Sequence, residues 1–178
     1  GLDFPLVSLV GVINADTILN FPDFRSSERT YQMLSQVSGR AGRGNIKGDV
    51  IIQTFNPDNY VIKCVKENSY DKFYLYEMNF RKKLKYPPYY YLVSLKIIGK
   101  EYEKTIDASK KVKTFLDKNL TDAITLGPTT AQVFKFNNEY RMQIIIKYKK
   151  CDNLKNVLKE LDSLFVMNKD LRLEIDFN

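Results

Sequence analysis

The chain of 178 residues lacks histidine and tryptophan, and it has two cysteines, Cys64 and Cys151. A structural zinc site takes about four cysteine or histidine ligands, so this chain alone cannot supply one. The absence of histidine also excludes catalysis in which an imidazole transfers the proton. Two distant cysteines favour free thiols in a reducing compartment. No apolar run approaches the roughly 20 residues of a membrane span, so we expect no membrane partner.

A nucleotide-binding site is only partly represented. The sequence has no Gly-Lys-Ser/Thr phosphate loop and no acidic metal-binding motif after a strand, yet it contains Gln36-Val37-Ser38-Gly39-Arg40-Ala41-Gly42-Arg43-Gly44. The planar guanidinium fork of arginine holds two phosphate oxygens at once. The segment could equally be a glycine helix terminus with two solvated arginines. Gln36 lies one helical turn before Arg40, which favours the phosphate interpretation.

The net charge of +7 is unevenly distributed along the chain. Residues 1–60 hold 5 Lys/Arg and 6 Asp/Glu, a balance of −1, whereas residues 61–178 hold 23 and 15, a balance of +8. Such asymmetry favours a polyanion as partner of the second part. The alternative is that lysine serves as a general surface residue.

Residues 1–58 show the pattern of a crossover unit. A short apolar run at residues 7–13 predicts a strand buried on both faces, a helix follows from Ser26 to about Ser38, and residues 49–55 predict a second strand. Strand, helix and strand form a right-handed parallel unit. One such unit cannot cover a sheet on both faces. Because the chain starts at Gly1 without methionine, we interpret it as part of a longer protein.

Residues 59–88 predict a helical linker. It consists of one helix over residues 59–85 that ends at Tyr86-Pro87-Pro88, and the cations near its end, including Lys85, suit the helix dipole. Residues 89–178 then follow the order β-α-β-β-α-β, with a tight turn at Asn137-Asn138. This order predicts a ferredoxin-like α+β plait, in which two helices cover one face of a four-stranded antiparallel sheet. The opposite face is expected to be open and partly basic.

Several segments together resemble a known family. Gly1-Leu2-Asp3-Phe4-Pro5, residues 10–16, Asp23-Phe24-Arg25 and residues 36–44 resemble motifs V and VI of superfamily 2 helicases. Residues 81–89, Gly127-Pro128 and residues 140–144 narrow the resemblance to the primosomal protein N′ (PriA) family of replication-restart helicases. The resemblance extends over nearly the whole chain.

The resemblance implies an ATP-driven 3′-to-5′ DNA helicase that rebuilds stalled replication forks in the bacterial cytoplasm, at the nucleoid. Residues 1–58 would be the C-terminal part of a RecA-like helicase lobe 2, and residues 89–178 the family's C-terminal domain. ATP and magnesium would bind the parent protein, and zinc would bind an insertion upstream of Gly1. The isolated chain is therefore expected to be catalytically inactive.

The family also implies roles for individual residues. Arg43 would be the arginine finger, Arg40 its phosphate-facing companion, and Gln36 a sensor of the γ-phosphate or the attacking water. Gly1 and Asp3 would couple the nucleotide state to DNA. An arginine that reaches the γ-phosphate is worth about 10³–10⁵ in rate.

The plait would hold forked or single-stranded DNA. Cationic side chains on its open face could follow the phosphates, and aromatic rings could stack on bases. The alternative is a solvated sheet face with aromatic residues packed in the core. The candidate residues are Lys135, Arg141, Lys147 and Lys149, with Tyr89, Tyr90 or Phe134 as stacking platforms.

Two further functions stay open. The first is a non-enzymatic nucleic-acid-binding module, since plaits often bind RNA or DNA without chemistry. The second is a docking platform for primosome and single-strand-binding proteins. We also expect the fragment to self-associate, because residues 1–56 present strand surface without a cover.

Overall fold

The computed structural model describes residues 7–41, 48–166, 168 and 170–177. The chain divides into two compact units, residues 1–81 (unit 1) and residues 82–178 (unit 2). In chain order the elements are β1 (Leu9–Val12), α1 (Asp16–Leu19), α2 (Ser26–Ser38), β2 (Asp49–Ile52), α3 (Tyr60–Lys66), α4 (Tyr70–Lys83), β3 (Tyr91–Gly99), α5 (Tyr102–Asn119), β4 (Ala123–Phe136), β5 (Glu139–Tyr148), α6 (Leu154–Val166) and β6 (Leu171–Phe177).

Unit 1 contains the predicted crossover. β1 and β2 pair in parallel, and helix α2 lies between them in the chain. Backbone bonds from Gln53 N to the Val12 oxygen (2.9 Å) and from Ala15 N to the Gln53 oxygen (3.0 Å) continue the pairing beyond both strands. The buried Asp16 carboxylate accepts bonds from Thr54 Oγ1 and the Phe55 amide, which ties the two strand ends together.

The two-stranded sheet is covered on one face. Val12 and Ile52 pack against the core of unit 1, whereas Leu9 is 58% exposed and Ile51 is 61% exposed. Because side chains alternate across a strand, the second face is the one these exposed residues share. The expectation of a strand buried on both faces is therefore wrong for the described part of this chain. Among the described residues, the helices of unit 1 pack against one side of this strand pair.

The helices of the predicted linker belong to the core of unit 1. The sequence predicts one helix over residues 59–85, but the structure has two, α3 and α4, because Asn68 takes a left-handed conformation with φ 50°. Val61 on α3 and Phe73 on α4 are buried with Leu34 of α2. The rings of Tyr31 and Phe73 stack at 4.3 Å between centroids.

Unit 2 has the predicted βαββαβ order. Its four strands are antiparallel and lie in the order β4-β5-β3-β6, which is the ferredoxin-like arrangement. Leu95 on the central strand β3 pairs with Ile144 of β5 and Ile175 of β6. These side chains pack with Leu116 of α5 and Leu161 of α6 in one apolar core.

The hairpin between β4 and β5 combines a tight turn with a bulge. Asn137 and Asn138 both have positive φ, 50° and 60°, as the favoured two-residue hairpin turn requires. Thr130 pairs with Met142 and Lys135 with Tyr140, so β4 has extra residues between these pairs. This stretch of β4 therefore forms a bulge that interrupts the regular strand pairing shortly before the turn.

None of the helices in the described ranges is both long enough and apolar enough to cross a membrane.

Candidate functional site

The C-terminal end of α2 carries two of the three predicted phosphate-contacting residues. Gln36 is exposed and Arg40 is half-buried, one helical turn further on. Backbone bonds from Gly39 N to the Ser35 oxygen and from Arg40 N to the Val37 oxygen extend the helical path to Arg40. Gly39 has φ −70°, so this position does not require the left-handed freedom of glycine.

The predicted ATP-facing set also includes residues outside the part of the chain that the structure describes. Arg43, with Gly42 and Gly44, lies outside the described residues, and so do Gly1 and Asp3. Their proposed roles stay predictions. Gln36 and Arg40 are therefore the two members whose local structure bears on this site.

The loop before α2 is held by an ion cluster around Asp23. Its carboxylate accepts bonds from the Arg25 amide (2.9 Å) and the Arg25 Nε (3.2 Å), and it lies 3.1 Å from Arg29 Nη1. Burial acts to raise the pKa of Asp23, but the Arg25 bonds and the charges of Arg25 and Arg29 outweigh it and lower that pKa below its usual value. The Asp23-Phe24-Arg25 segment thus fixes the start of the helix.

A buried ion network, which sequence reasoning did not find, joins α2 to α4. Arg81 Nε donates to Glu77 Oε1 at 2.7 Å, and Arg81 Nη2 donates to Glu28 Oε2 at 2.8 Å. The Tyr60 hydroxyl donates to the second Glu77 oxygen at 2.6 Å. The i,i+4 spacing of Glu77 and Arg81 signals one contact, but nothing local signals Glu28, which lies 53 residues away.

Lys147, predicted to contact DNA, is buried within unit 2. It is 5% exposed, its ammonium donates to the Leu84 carbonyl at 2.9 Å, and it lies 3.5 Å from the centre of the Tyr86 ring. Burial, and then the charge of Lys85, lower the pKa of Lys147. This ammonium is engaged by residues 84–86, so the face expected to be open is partly covered here.

Beside it, two lysines converge on one aromatic ring. Lys149 Nζ lies 5.2 Å and Lys85 Nζ lies 5.9 Å from the centre of the Tyr90 ring. Both lysines and Tyr89 are exposed. The sequence interpretation assigns Lys85 to the helix terminus alone, because its proximity to Lys149 depends on tertiary structure. We call Lys85, Tyr90 and Lys149 the strand-end cluster.

A second basic and aromatic group lies at the hairpin. The rings of Tyr102, Phe134 and Tyr140 are in mutual contact, with centroids 5.5–5.8 Å apart. The Lys135 ammonium lies 4.7 Å from the Tyr140 ring centre and 3.2 Å from its hydroxyl. We call these four residues, together with the pair in the next paragraph, the hairpin cluster.

The pair consists of Arg141 and Phe136. The Arg141 guanidinium carbon lies 5.2 Å from the centre of the Phe136 ring, and Phe136 is 53% exposed. Arg141 Nε is buried, and no hydrogen-bond partner for it occurs among the described residues. An exposed ring under a cation presents both a stacking face and a charge to a ligand.

The two clusters lie at opposite ends of β5. Arg141 and Lys149 are eight residues apart, which corresponds to about 26 Å of extended chain. Phosphates along one nucleic-acid strand cover that distance within several nucleotides. The predicted track of four cations therefore resolves into two separate clusters, with the buried Lys147 near one of them.

The described side chains do not fit a metal centre. Among them, no group of three or more histidine, cysteine, aspartate or glutamate residues converges. Cys64 is buried, and burial raises its pKa above the usual value, which disfavours the thiolate that a metal needs. We therefore assign no chemical step to magnesium or zinc at these residues.

Comparisons with known proteins agree on one family. A family model described as the primosomal protein N C-terminal domain (PriA_C) matches residues 82–178. The chain is 43% identical over 182 residues to the replication restart protein PriA of Bacillus subtilis (strain 168), covering 100% of this chain and 23% of that protein.

Other relatives with the same name show similar agreement. The protein of Synechocystis sp. (strain ATCC 27184 / PCC 6803 / Kazusa) is 44% identical over 152 residues, covering 83% of this chain and 18% of its own length. That of Rickettsia typhi (strain ATCC VR-144 / Wilmington) is 38% identical over 178 residues, covering 100% and 27%. The chain thus spans 18–27% of the length of these relatives.

Solved structures resemble half of the chain only loosely. The de novo designed protein Foldit4 covers 50% of this chain and 96% of its own, with 14% identity and a TM-score of 0.41. A dimeric ferredoxin-like protein from an uncultured marine organism covers 50% and 94%, with 14% identity and a TM-score of 0.32. We draw nothing from scores this low.

Proposed function

Because this chain belongs to the primosomal protein N C-terminal domain family, we propose that it is the C-terminal part of an ATP-dependent 3′-to-5′ DNA helicase. The printed name of its relatives, replication restart protein PriA, supports a role in restarting stalled replication forks. In this proposal unit 1 completes an ATP site and unit 2 binds DNA.

The end of helix α2 carries the ATPase part of the proposal. Gln36 is exposed and Arg40 follows one turn later, so both side chains can approach a phosphate from one direction. We propose that Arg40 binds the γ-phosphate, that Gln36 orients the attacking water, and that Arg43 stabilises the charge that develops in the transition state. Gly1 and Asp3 would link this site to DNA.

The uncovered face of the β1–β2 pair supports the assignment of residues 1–58 to a larger lobe. Leu9 and Ile51 expose apolar surface that a two-stranded sheet cannot cover by itself. In the parent protein, we propose, further strands and helices of a RecA-like lobe cover it. Without them the same surface would bring two copies of the chain together.

DNA binding is assigned to the two clusters of unit 2. We propose that Lys135, Arg141 and Lys149 bind phosphates and that Phe136 stacks on a base, with Tyr89 and Phe134 as further platforms. Lys147 is left out of the phosphate contacts because its ammonium already binds the Leu84 carbonyl. In this proposal Lys147 instead holds residues 84–86 against the sheet.

The ATPase proposal is tested in the full-length parent protein by steady-state ATP hydrolysis with and without forked DNA. Arg43→Ala is expected to reduce kcat by about 10³-fold or more, and Arg40→Ala by a similar order, because each removes charge stabilisation at the phosphate. DNA affinity should stay within about twofold. Normal turnover by Arg43→Ala would exclude the ATPase role of this segment.

A second measurement tests unit 2. In the parent protein, Arg141→Ala and Lys149→Ala should each weaken DNA binding and reduce the slope of log affinity against log salt by about one phosphate contact. Lys155→Ala is the matched control, because Lys155 is an exposed lysine on α6 that belongs to neither cluster. Unchanged affinity in both cluster variants would instead favour the docking-platform function, in which partner proteins bind this unit.

A further inference from the structure

A line of polar residues runs along one side of α2 from its first turn to the predicted phosphate contacts. Glu28, Gln32, Gln36 and Arg40 are spaced four residues apart, so each lies one turn above the last. The first link is a hydrogen bond, in which Gln32 Nε2 donates to Glu28 Oε1 at 3.3 Å. From Glu28 to Gln36 the helix rises about 12 Å.

Arg81 binds the lower end of this line. Its Nη2 donates to Glu28 Oε2 at 2.8 Å, while its Nε donates to the buried Glu77 carboxylate at 2.7 Å. Arg81 is itself buried, at 9% exposed, and its guanidinium carbon lies 5.3 Å from the centre of the Phe24 ring. A planar guanidinium with two fixed carboxylate partners has little freedom to move.

The opposite side of α2 is held mainly by apolar packing, with one hydrogen bond between Ser27 and the Tyr60 hydroxyl of α3. Thr30, Tyr31 and Leu34 are buried there in aromatic and aliphatic packing, which tolerates small rotations of a helix better than a charge-assisted hydrogen bond does. The Thr30 hydroxyl donates to the Ser26 carbonyl of its own helix and so does not tie α2 to a neighbour. The bond between Arg81 and Glu28 is thus a charge-assisted, directional contact between α2 and α4.

We propose that Arg81 is a positioning residue that sets the rotation of α2 about its axis, and with it the placement of Gln36 and Arg40 at the ATP phosphates. This inference rests on the proposed function. Arg81 lies outside the helicase motifs and touches no reacting atom, so it acts through Glu28. Displacement of a catalytic group by about 1 Å costs up to 10²-fold in rate.

The test uses the full-length parent protein and leaves Arg81 in place, because losing a buried cation endangers the fold. Glu28→Ala removes both the Arg81 contact and the Gln32 contact from a half-buried position. We expect kcat to fall about tenfold, with KM for ATP and DNA affinity within about twofold, because only the transition-state contact is misplaced.

The conservative variant and a matched control separate positioning from loss of stability. Glu28→Gln keeps an oxygen that accepts from Arg81, so it should restore turnover to within about threefold of the unmodified protein. Thr54→Val removes the hydroxyl that donates to the Asp16 carboxylate, a contact of unit 1 that involves no residue of α2. It should lower the melting temperature while leaving kcat within about twofold.

Three results would overturn the inference. They are full turnover by Glu28→Ala, no recovery by Glu28→Gln, or a fall in kcat for Thr54→Val as large as that for Glu28→Ala. Arg40→Ala and Arg43→Ala are measured in parallel. If those two hydrolyse ATP normally, the proposed function fails; if they are inactive while Glu28→Ala is normal, only the positioning role of Arg81 fails.

Discussion

The two units of this chain reach stability in different ways. Unit 2 encloses one apolar core, in which Leu95, Ile144 and Leu161 are essentially fully buried between a four-stranded sheet and two helices. Unit 1 pairs only two strands and places the ions Glu77 and Arg81 in its interior beside stacked aromatic rings. A four-stranded sheet covered by two helices can be stabilised by hydrophobic burial alone. A two-stranded sheet covered on one face depends more on specific polar contacts.

The largest effect that would sharpen this comparison is expected for Arg81→Ala. Removing the cation leaves the buried Glu77 carboxylate without its charged partner, which costs about 3–5 kcal/mol of the free energy of unfolding of unit 1. Amide hydrogen exchange of α2 and α4 measures it. Lys63→Ala, which breaks the exposed bridge to Asp58, is the control and should leave exchange unchanged. Equal protection in both variants would contradict the role of the buried ions.

An intermediate effect on stability is expected when one glycine in each unit is replaced by alanine. A Cβ at Gly99 in unit 2 would lie 2.6 Å from both Leu171 Cδ2 and Thr105 Oγ1, so Gly99→Ala should destabilise unit 2 by about 1–3 kcal/mol through overpacking. At Gly39 in unit 1 the nearest atom, the Ser35 oxygen, is 3.5 Å away and φ is −70°.

Gly39→Ala should therefore stabilise unit 1 by about 0.4–1 kcal/mol, because it restricts the unfolded chain at a conformation that alanine readily adopts. Thermal unfolding of both variants provides the measurement. A destabilisation by Gly39→Ala as large as that by Gly99→Ala would mean that glycine is required at the end of α2 after all.

The smallest effect is a pH dependence of opposite sign in the two units. Burial and the bond to Glu77 raise the pKa of Tyr60 above its ordinary 10.0. The unfolded state therefore loses its proton first, and unit 1 loses stability as pH rises above about 10. Burial, followed by the charge of Lys85, lowers the pKa of Lys147 below its ordinary 10.5. The native state loses that proton first, so unit 2 gains stability as pH rises toward 10.5.

Hydrogen exchange at several pH values, corrected for the intrinsic exchange rate, separates the two units. Tyr60→Phe should abolish the alkaline loss in unit 1, and Lys147→Met should abolish the gain in unit 2, because each removes the titrating group. A shared alkaline trend that neither variant changes would exclude these residues as its source.

Unit 2 is the part whose fold the sequence predicts well. Alternation in β5 separates Met142, Ile144 and Ile146 from Arg141 and Gln143, and the helical stripe beginning at Leu154 locates α6. The sequence pattern predicts this strand only over residues 131–136, whereas β4 starts at Ala123, because Gly127-Pro128 interrupts the pattern. Periodicity is a local signal, and the plait is built from elements long enough to carry it.

The candidate site is predicted less completely, because its contacts join distant segments. Alternation correctly groups Lys147 with Arg141 and Lys149, but it cannot show that Leu84 and Tyr86 cover the first of them. The pairing of Arg81 with Glu28 spans 53 residues and leaves no mark in either helix pattern. Motif residues at the end of α2 are found from sequence, whereas the residues that orient them are found from packing.

The burial of Lys147 changes how the electric charge of unit 2 should be counted. A polyanion in solution meets exposed ammonium groups, such as those of Lys85 and Lys149, and not the one that lies against the Tyr86 ring. Ion release on binding scales with the phosphates that are neutralised. The salt sensitivity of complex formation should therefore be smaller than formal charge implies, and replacing Lys147 by methionine should hardly alter it.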